Sequence, residues 1–154
     1  MNIRTVNLPN LETLHAGAVF YNCPNLTEVI SLGNVTTIDY TDTQYGIRGG
    51  MFESCASLTT VHLPETLTIL PDSMFKDCIN LTNINIPQSI EYLGFGVFEK
   101  VDKLTNKILY LPNVIYVNPF SPCFGNKSNM HVYLPNDIQF TYIGNLNVYG
   151  GSSN

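Results

Sequence analysis

The chain has 154 residues, with 44% hydrophobic and only 12% charged residues, which is one domain's worth of sequence and too apolar for a disordered segment. Seven Lys and Arg against twelve Asp and Glu leave a net charge of -5, which repels phosphate backbones and anionic lipid, so nucleic acid and membrane surfaces are poor partners. No apolar run approaches the roughly 18 to 20 residues that span a bilayer, and Met1-Asn2-Ile3-Arg4-Thr5 leads straight into patterned sequence, so neither a signal peptide nor membrane insertion is expected.

Taken in order, the chain repeats itself. A first turn carries Leu8-Pro9, Leu11, Leu14, Phe20, Cys23 and Leu26, and a second carries Val29, Leu32, Val35, Ile38, Phe52, Cys55 and Leu58. The next two turns are the most regular: Phe52, Phe75 and Phe98 fall 23 apart, as do Leu58, Leu81 and Leu104, and Leu63-Pro64 and Ile86-Pro87 keep the same step. Leu111-Pro112 opens a looser fifth turn and Leu134-Pro135 a partial sixth. A fixed period of this kind marks a solenoid and overrides local propensity.

Within one turn, alternate residues of a strand face opposite sides, so Ile84 and Ile86 point in and Asn83 and Asn85 point out. Proline after the strand removes a backbone donor and turns a corner. The Phe-x-x-Cys spacing suits a short helical or 3-10 segment on the opposite wall, with the ring filling the centre of the coil. The expected fold is a leucine-rich-repeat solenoid of about five to six turns of roughly 23 residues, made of short parallel strands. It is expected over residues 1–137, with a capping strand and mobile tail over 138–154.

A leucine-rich repeat with Pro after the strand and a Phe-x-x-Cys-x-x-Leu segment resembles the BspA-like, or Treponema pallidum-type, class. The resemblance spans about Ile3 to Pro135. It implies a right-handed solenoid belonging to bacterial or protozoan surface proteins, extracellular and used for adhesion. The chain departs from the pattern at Gly33 in place of Pro, at Val101 in place of Cys, in the longer stretch from Leu104 to Leu111, and over residues 118–130.

Residues with reactive side chains lack the spacing that chemistry needs. Cys23, Cys55 and Cys78 occupy one column, where parallel side chains point the same way rather than at each other, and Val101 serves at the same position without sulfur. Buried thiols are expected there, and burial is also expected for Cys123 outside the column. No Cys/His ligand spacing suggests zinc, and no turn gathers a nucleophile, a base and an orienting acid, since His15, His62 and His131 are scattered. Asp39 and Asp42 lack a calcium loop, and Gly94-Phe95-Gly96 lacks the rest of a phosphate loop. The reading is non-enzymatic, with no cofactor and no metal. The sequons at Asn25 and Asn80 share one repeat position and follow from the repeat, while those at Asn34 and Asn126 are read as turn residues.

Binding needs a surface, and the outward strand positions supply one. One column reads Asn7, Ser31, His62, Asn85, Tyr110 and Tyr133, and its neighbour Thr5, Val29, Thr60, Asn83, Ile108 and His131. The face is nearly uncharged and turns aromatic toward the C-terminal half, so His62, Asn85, Tyr110, His131 and Tyr133 are candidate ligand-binding residues, set against an ordinary polar sheet face. A nine-residue insertion between Ile38 and Phe52 adds Tyr40, Tyr45 and Arg48, set against a tolerated insertion without function. The expected function is binding of a protein or glycan on a host or neighbouring cell. The alternative is a structural module that forms homo-oligomers through its uncapped ends, the N-terminal edge above all.

Overall fold

The computed structural model describes residues 2–14, 18–38, 50–104, 108–117, 123–124, 130–140, 147–150 and 152–153. In chain order the strands are β1 (Thr5–Asn7), β2 (Glu28–Ser31), β3 (Thr60–His62), β4 (Ile69–Leu70), β5 (Asn83–Asn85), β6 (Tyr92–Leu93), β7 (Ile108–Tyr110), β8 (Tyr116–Val117), β9 (His131–Tyr133), β10 (Gln139–Phe140), β11 (Asn147–Tyr149) and β12 (Ser152–Ser153). Every pairing among them is parallel. The result is a parallel β-solenoid of about four full turns with a repeat of about 23 residues, flanked by partial turns.

One wall holds the sheet β1-β2-β3-β5 and the sheet β7-β9-β11, and a second holds β4-β6-β8 and the pair β10-β12. The alternation read from sequence sets the register except in β2, where one extra residue before Ser31 shifts the count. Val29, expected outward, is buried there opposite Val6 and Val61, and Glu28 takes its place beside Thr5 and Thr60. Val61 stands opposite Ile84, Leu109 opposite Val132, and Leu70 opposite Leu93, all of them buried, so each turn lays its apolar residue on the same residue of the next.

The third wall is made of the turns that carry phenylalanine. The rings of Phe20, Phe52, Phe75, Phe98 and Phe124 form one stack with successive centroids 5.4, 5.6, 5.5 and 5.5 Å apart. The four from Phe52 onward are fully buried, and a buried side chain of this size contributes on the order of 1.5–3 kcal/mol. Phe124 extends the stack from within residues 118–130, where the sequence departs from the repeat pattern. Cys123, directly before it, joins Met51, Met74 and Val97, each of which also precedes a stacked phenylalanine and is buried.

The short helical or 3-10 segments expected on this wall are tight turns instead, and no helix occurs among the described residues. Backbone N–H groups here point sideways: Phe52 donates to the Met74 carbonyl at 2.9 Å, Phe75 to Val97 at 2.9 Å and Phe98 to Cys123 at 2.6 Å. Two residues after each of the first four rings the chain turns left-handed, with φ of 51° at Asn22, 62° at Ser54, 59° at Asp77 and 57° at Lys100. A left-handed residue ends any helix of L-amino acids, and bonding between turns replaces bonding along the chain.

Hydroxyl groups repeat the same device. Thr27 Oγ1 donates to the Arg4 carbonyl at 3.0 Å, Thr59 to Thr27 at 3.1 Å and Thr82 to Thr59 at 3.4 Å, tying each turn to the one before. Asn80 Nδ2 donates to the Ala56 carbonyl at 2.7 Å. The Asn80-Leu81-Thr82 sequon is thus built of residues that join turns.

Candidate binding surface

The aromatic half of the strand face is assembled by β7, β9 and β11. Their inward residues Leu109 and Val132 are buried and Val148 packs against the core, which forces the residues on either side outward. Tyr110, Tyr133 and Tyr149 therefore stand side by side on neighbouring rungs, with Ile108, His131 and Asn147 forming the adjacent row. Tyr133 and Tyr149 stack at 4.5 Å and 11°, and Tyr110 meets Tyr133 at 6.4 Å and 56°. His131 lies 5.8 Å from the Tyr149 ring, and its Nδ1 is 3.1 Å from the Tyr149 hydroxyl. Ile108 is 72% exposed and Tyr110 57%, so a broad apolar area with hydroxyl tips meets solvent.

These two rows contain no Lys, Arg, Asp or Glu. Two ion pairs lie instead on the phenylalanine wall, where Lys76 Nζ meets Glu99 at 3.1 Å and Lys100 meets Asp77 at 3.3 Å. Glu99 in the first pair raises the Lys76 pKa.

The expected site residues separate into three groups. Tyr110, His131 and Tyr133 come together as one patch. His62 and Asn85 lie opposite each other on β3 and β5, in the other sheet of that wall, and only His62 is open. The Asn85 side chain is taken up by the backbone: its Nδ2 donates to the Leu63 carbonyl at 2.9 Å and its Oδ1 accepts the Leu63 N–H at 2.7 Å. It extends the ladder where Leu63-Pro64 leaves it. Tyr40, Tyr45 and Arg48 lie outside the described residues.

Sequence reasoning missed Tyr149. It pairs with Tyr133 only 16 residues earlier in the chain, so a search at the main period passes over it. The signal was the three-residue pattern itself, since Ile108-Leu109-Tyr110, His131-Val132-Tyr133 and Asn147-Val148-Tyr149 share one form. A smaller aromatic pair on the second wall was also missed, Tyr92 and Tyr116, with centroids 6.0 Å apart.

The cysteines offer no comparable surface. All four are buried thiols. Cys55 Sγ donates to the Phe20 carbonyl at 3.0 Å, Cys78 to Phe52 at 3.1 Å and Cys123 to Gly94 at 3.1 Å. Burial pushes the Cys55 thiol up to about 11 and Cys123 up to about 12, and pushes Cys78 upward as well. Protonated thiols are poor nucleophiles and poor metal ligands. Among the described residues no group of three His, Cys, Asp or Glu is placed to hold a metal ion, and no helix is long and apolar enough to cross a membrane.

Short parallel rungs, a phenylalanine stack and Leu-Pro corners define a leucine-rich-repeat solenoid, a fold that typically serves protein interaction rather than catalysis. The chain matches the model of the BspA type leucine rich repeat region in six copies, over residues 1–45 and 31–147, and it belongs to that family. It is similar in structure to the T. pallidum leucine rich repeat protein, with a TM-score of 0.61 and 24% identity over 89% of this chain. The match spans 66% of that chain. No curated protein matches the sequence.

Proposed function

We propose that this chain is a non-enzymatic adhesion module that binds a protein or glycan on a host or neighbouring cell, as part of an extracellular or cell-surface protein of a bacterium or protozoan. The observation that carries this reading is the row of Tyr110, Tyr133 and Tyr149 on three neighbouring parallel strands, with His131 beside it. Tyrosine offers large contact area and a hydrogen-bonding tip while losing little side-chain entropy, the chemistry that concentrates binding energy at interfaces. His62 extends the face toward the N-terminal sheet, and the insertion with Tyr40, Tyr45 and Arg48 is proposed as a further contact on its sequence alone. Family membership supports the interaction role.

Immobilised matrix proteins and glycans, screened by surface plasmon resonance, test the reading. Saturable binding to at least one of them, weakened at least about tenfold by Tyr110→Ala with Tyr133→Ala, is the expected result. Binding that survives both changes at full strength rejects the tyrosine row as the site.

A further inference from the structure

The corners that follow the first-wall strands are not all the same length. Three residues separate Leu63 from Leu67, Ile86 from Ile90 and Leu134 from Ile138, but only two separate Leu8 from Leu11, Leu32 from Val35 and, across Pro112 and Asn113, Leu111 from Val114. The hydrogen bonds record the missing residue. Leu67, Ile90 and Ile138 donate to the carbonyl of the corner proline, at 3.0, 3.3 and 3.3 Å, whereas Leu11 donates to Leu8, at 3.2 Å, and Val114 to Leu111, at 3.5 Å. Of the short corners, the one at Leu111 stands between two full-length ones, so the surface dips there.

The dip is a cleft of about 460 Å³. Its apolar lining comes from Pro112, Val114, Ile115, Pro135 and Ile138, and Glu91 from the preceding turn and Asp137 from the following turn complete it with two carboxylates. Neither carboxylate has an ion-pair partner among the described residues. In a chain with only 12% charged residues, two like charges flanking one apolar cleft are a specific arrangement.

The geometry points to a second binding site, in which this cleft takes an arginine or lysine side chain from an extended segment of a partner protein. The alkyl stem packs on the prolines and the branched residues, and the cationic head meets Glu91 and Asp137. The volume lies within the range of about 300–1,000 Å³ usual for ligand pockets, so residues beside the basic one also find room. A purely apolar occupant leaves both carboxylates facing its desolvated surface, and an acidic one is repelled. The site lies on the corner rather than on the strand face, and it stands whether or not the tyrosine row binds anything.

The test is a titration of the labelled full chain with acetyl-Val-Arg-Val-amide, followed by nuclear magnetic resonance. The backbone amides of residues 113–115, 137 and 138 are expected to shift with saturable dependence on the peptide. Affinity is expected to fall at least fivefold when norleucine replaces the arginine, and at least fivefold in Glu91→Gln with Asp137→Asn. Inserting one serine between Asn113 and Val114 restores the full corner and is expected to abolish the shifts, with circular dichroism checking that the variant folds. The carboxylate double variant carries the test if the insertion does not fold. No shift at these amides, equal binding of the norleucine peptide, or undiminished binding by the double variant overturns the proposal.

Discussion

The rings of Phe75 and Phe98 lie 5.5 Å apart and within 11° of parallel, although 23 residues separate them in the chain. Each ring is covered by the one before and the one after, so a gap opened at Phe75 cannot close by moving one neighbour. Phe75→Ala is expected to cost about 3–5 kcal/mol in urea denaturation. A loss below about 1 kcal/mol means that the stack is not the core.

Non-glycine residues at left-handed turns carry a backbone cost of about 1–2 kcal/mol, which glycine avoids. Ser54, at a φ of 62°, should therefore gain from replacement. Ser54→Gly is expected to raise stability by about 0.5–1 kcal/mol, while Ala56→Gly two residues on lowers it by a similar amount. Equal effects of the two substitutions in thermal unfolding contradict the turn assignment.

Gly33 is the converse case. Its φ is 66°, and a Cβ there would sit 2.2 Å from the Leu11 carbonyl oxygen of the preceding turn. Gly33→Ala is expected to cost about 2 kcal/mol or more by thermal or urea unfolding, because the strained dihedral and the backbone clash act together. This explains why glycine stands where other corners have proline.

The thiols give stability a pH dependence. Burial holds Cys55 at about 11 and Cys123 at about 12 in the folded chain, above the ordinary value of 9.0 that applies once the chain unfolds. The unfolded chain therefore releases these protons first. Their contribution is fully present below pH 9, declines as pH rises, and is lost above pH 12. Unfolding midpoints measured from pH 7 to pH 11 should fall beyond pH 9, and the fall should be smaller in Cys55→Val, which copies Val101 from the same column. An unchanged slope in that variant contradicts the assignment.

Much of this is legible in the sequence, because stacking requires identical spacing wherever turns have equal length. The Phe52, Phe75 and Phe98 column, the Leu-Pro corners and the cysteine column all follow from that condition. The same dependence hid the rest. Tyr149 returns to the sheet after 16 residues, Phe124 joins the ring stack from a segment with no visible period, and the corner at Pro112 lacks one residue. The helical segments failed for a different reason. Phe-x-x-Cys spacing describes a single turn equally well, and only the sideways bonding of Phe52, Phe75 and Phe98 to the following turns distinguishes the two. For Asn85, outward direction was read correctly, but not that its amide serves Leu63.

The most direct measurement compares two aromatic clusters on one captured partner, with thermal midpoints matched. Tyr110→Ala, Tyr133→Ala and Tyr149→Ala together should weaken binding at least about tenfold, whereas Tyr92→Ala with Tyr116→Ala on the second wall should change it less than about twofold. Loss of binding from the second-wall pair alone, with the strand-face triple variant binding at full strength, contradicts the assignment of the strand face as the recognition surface.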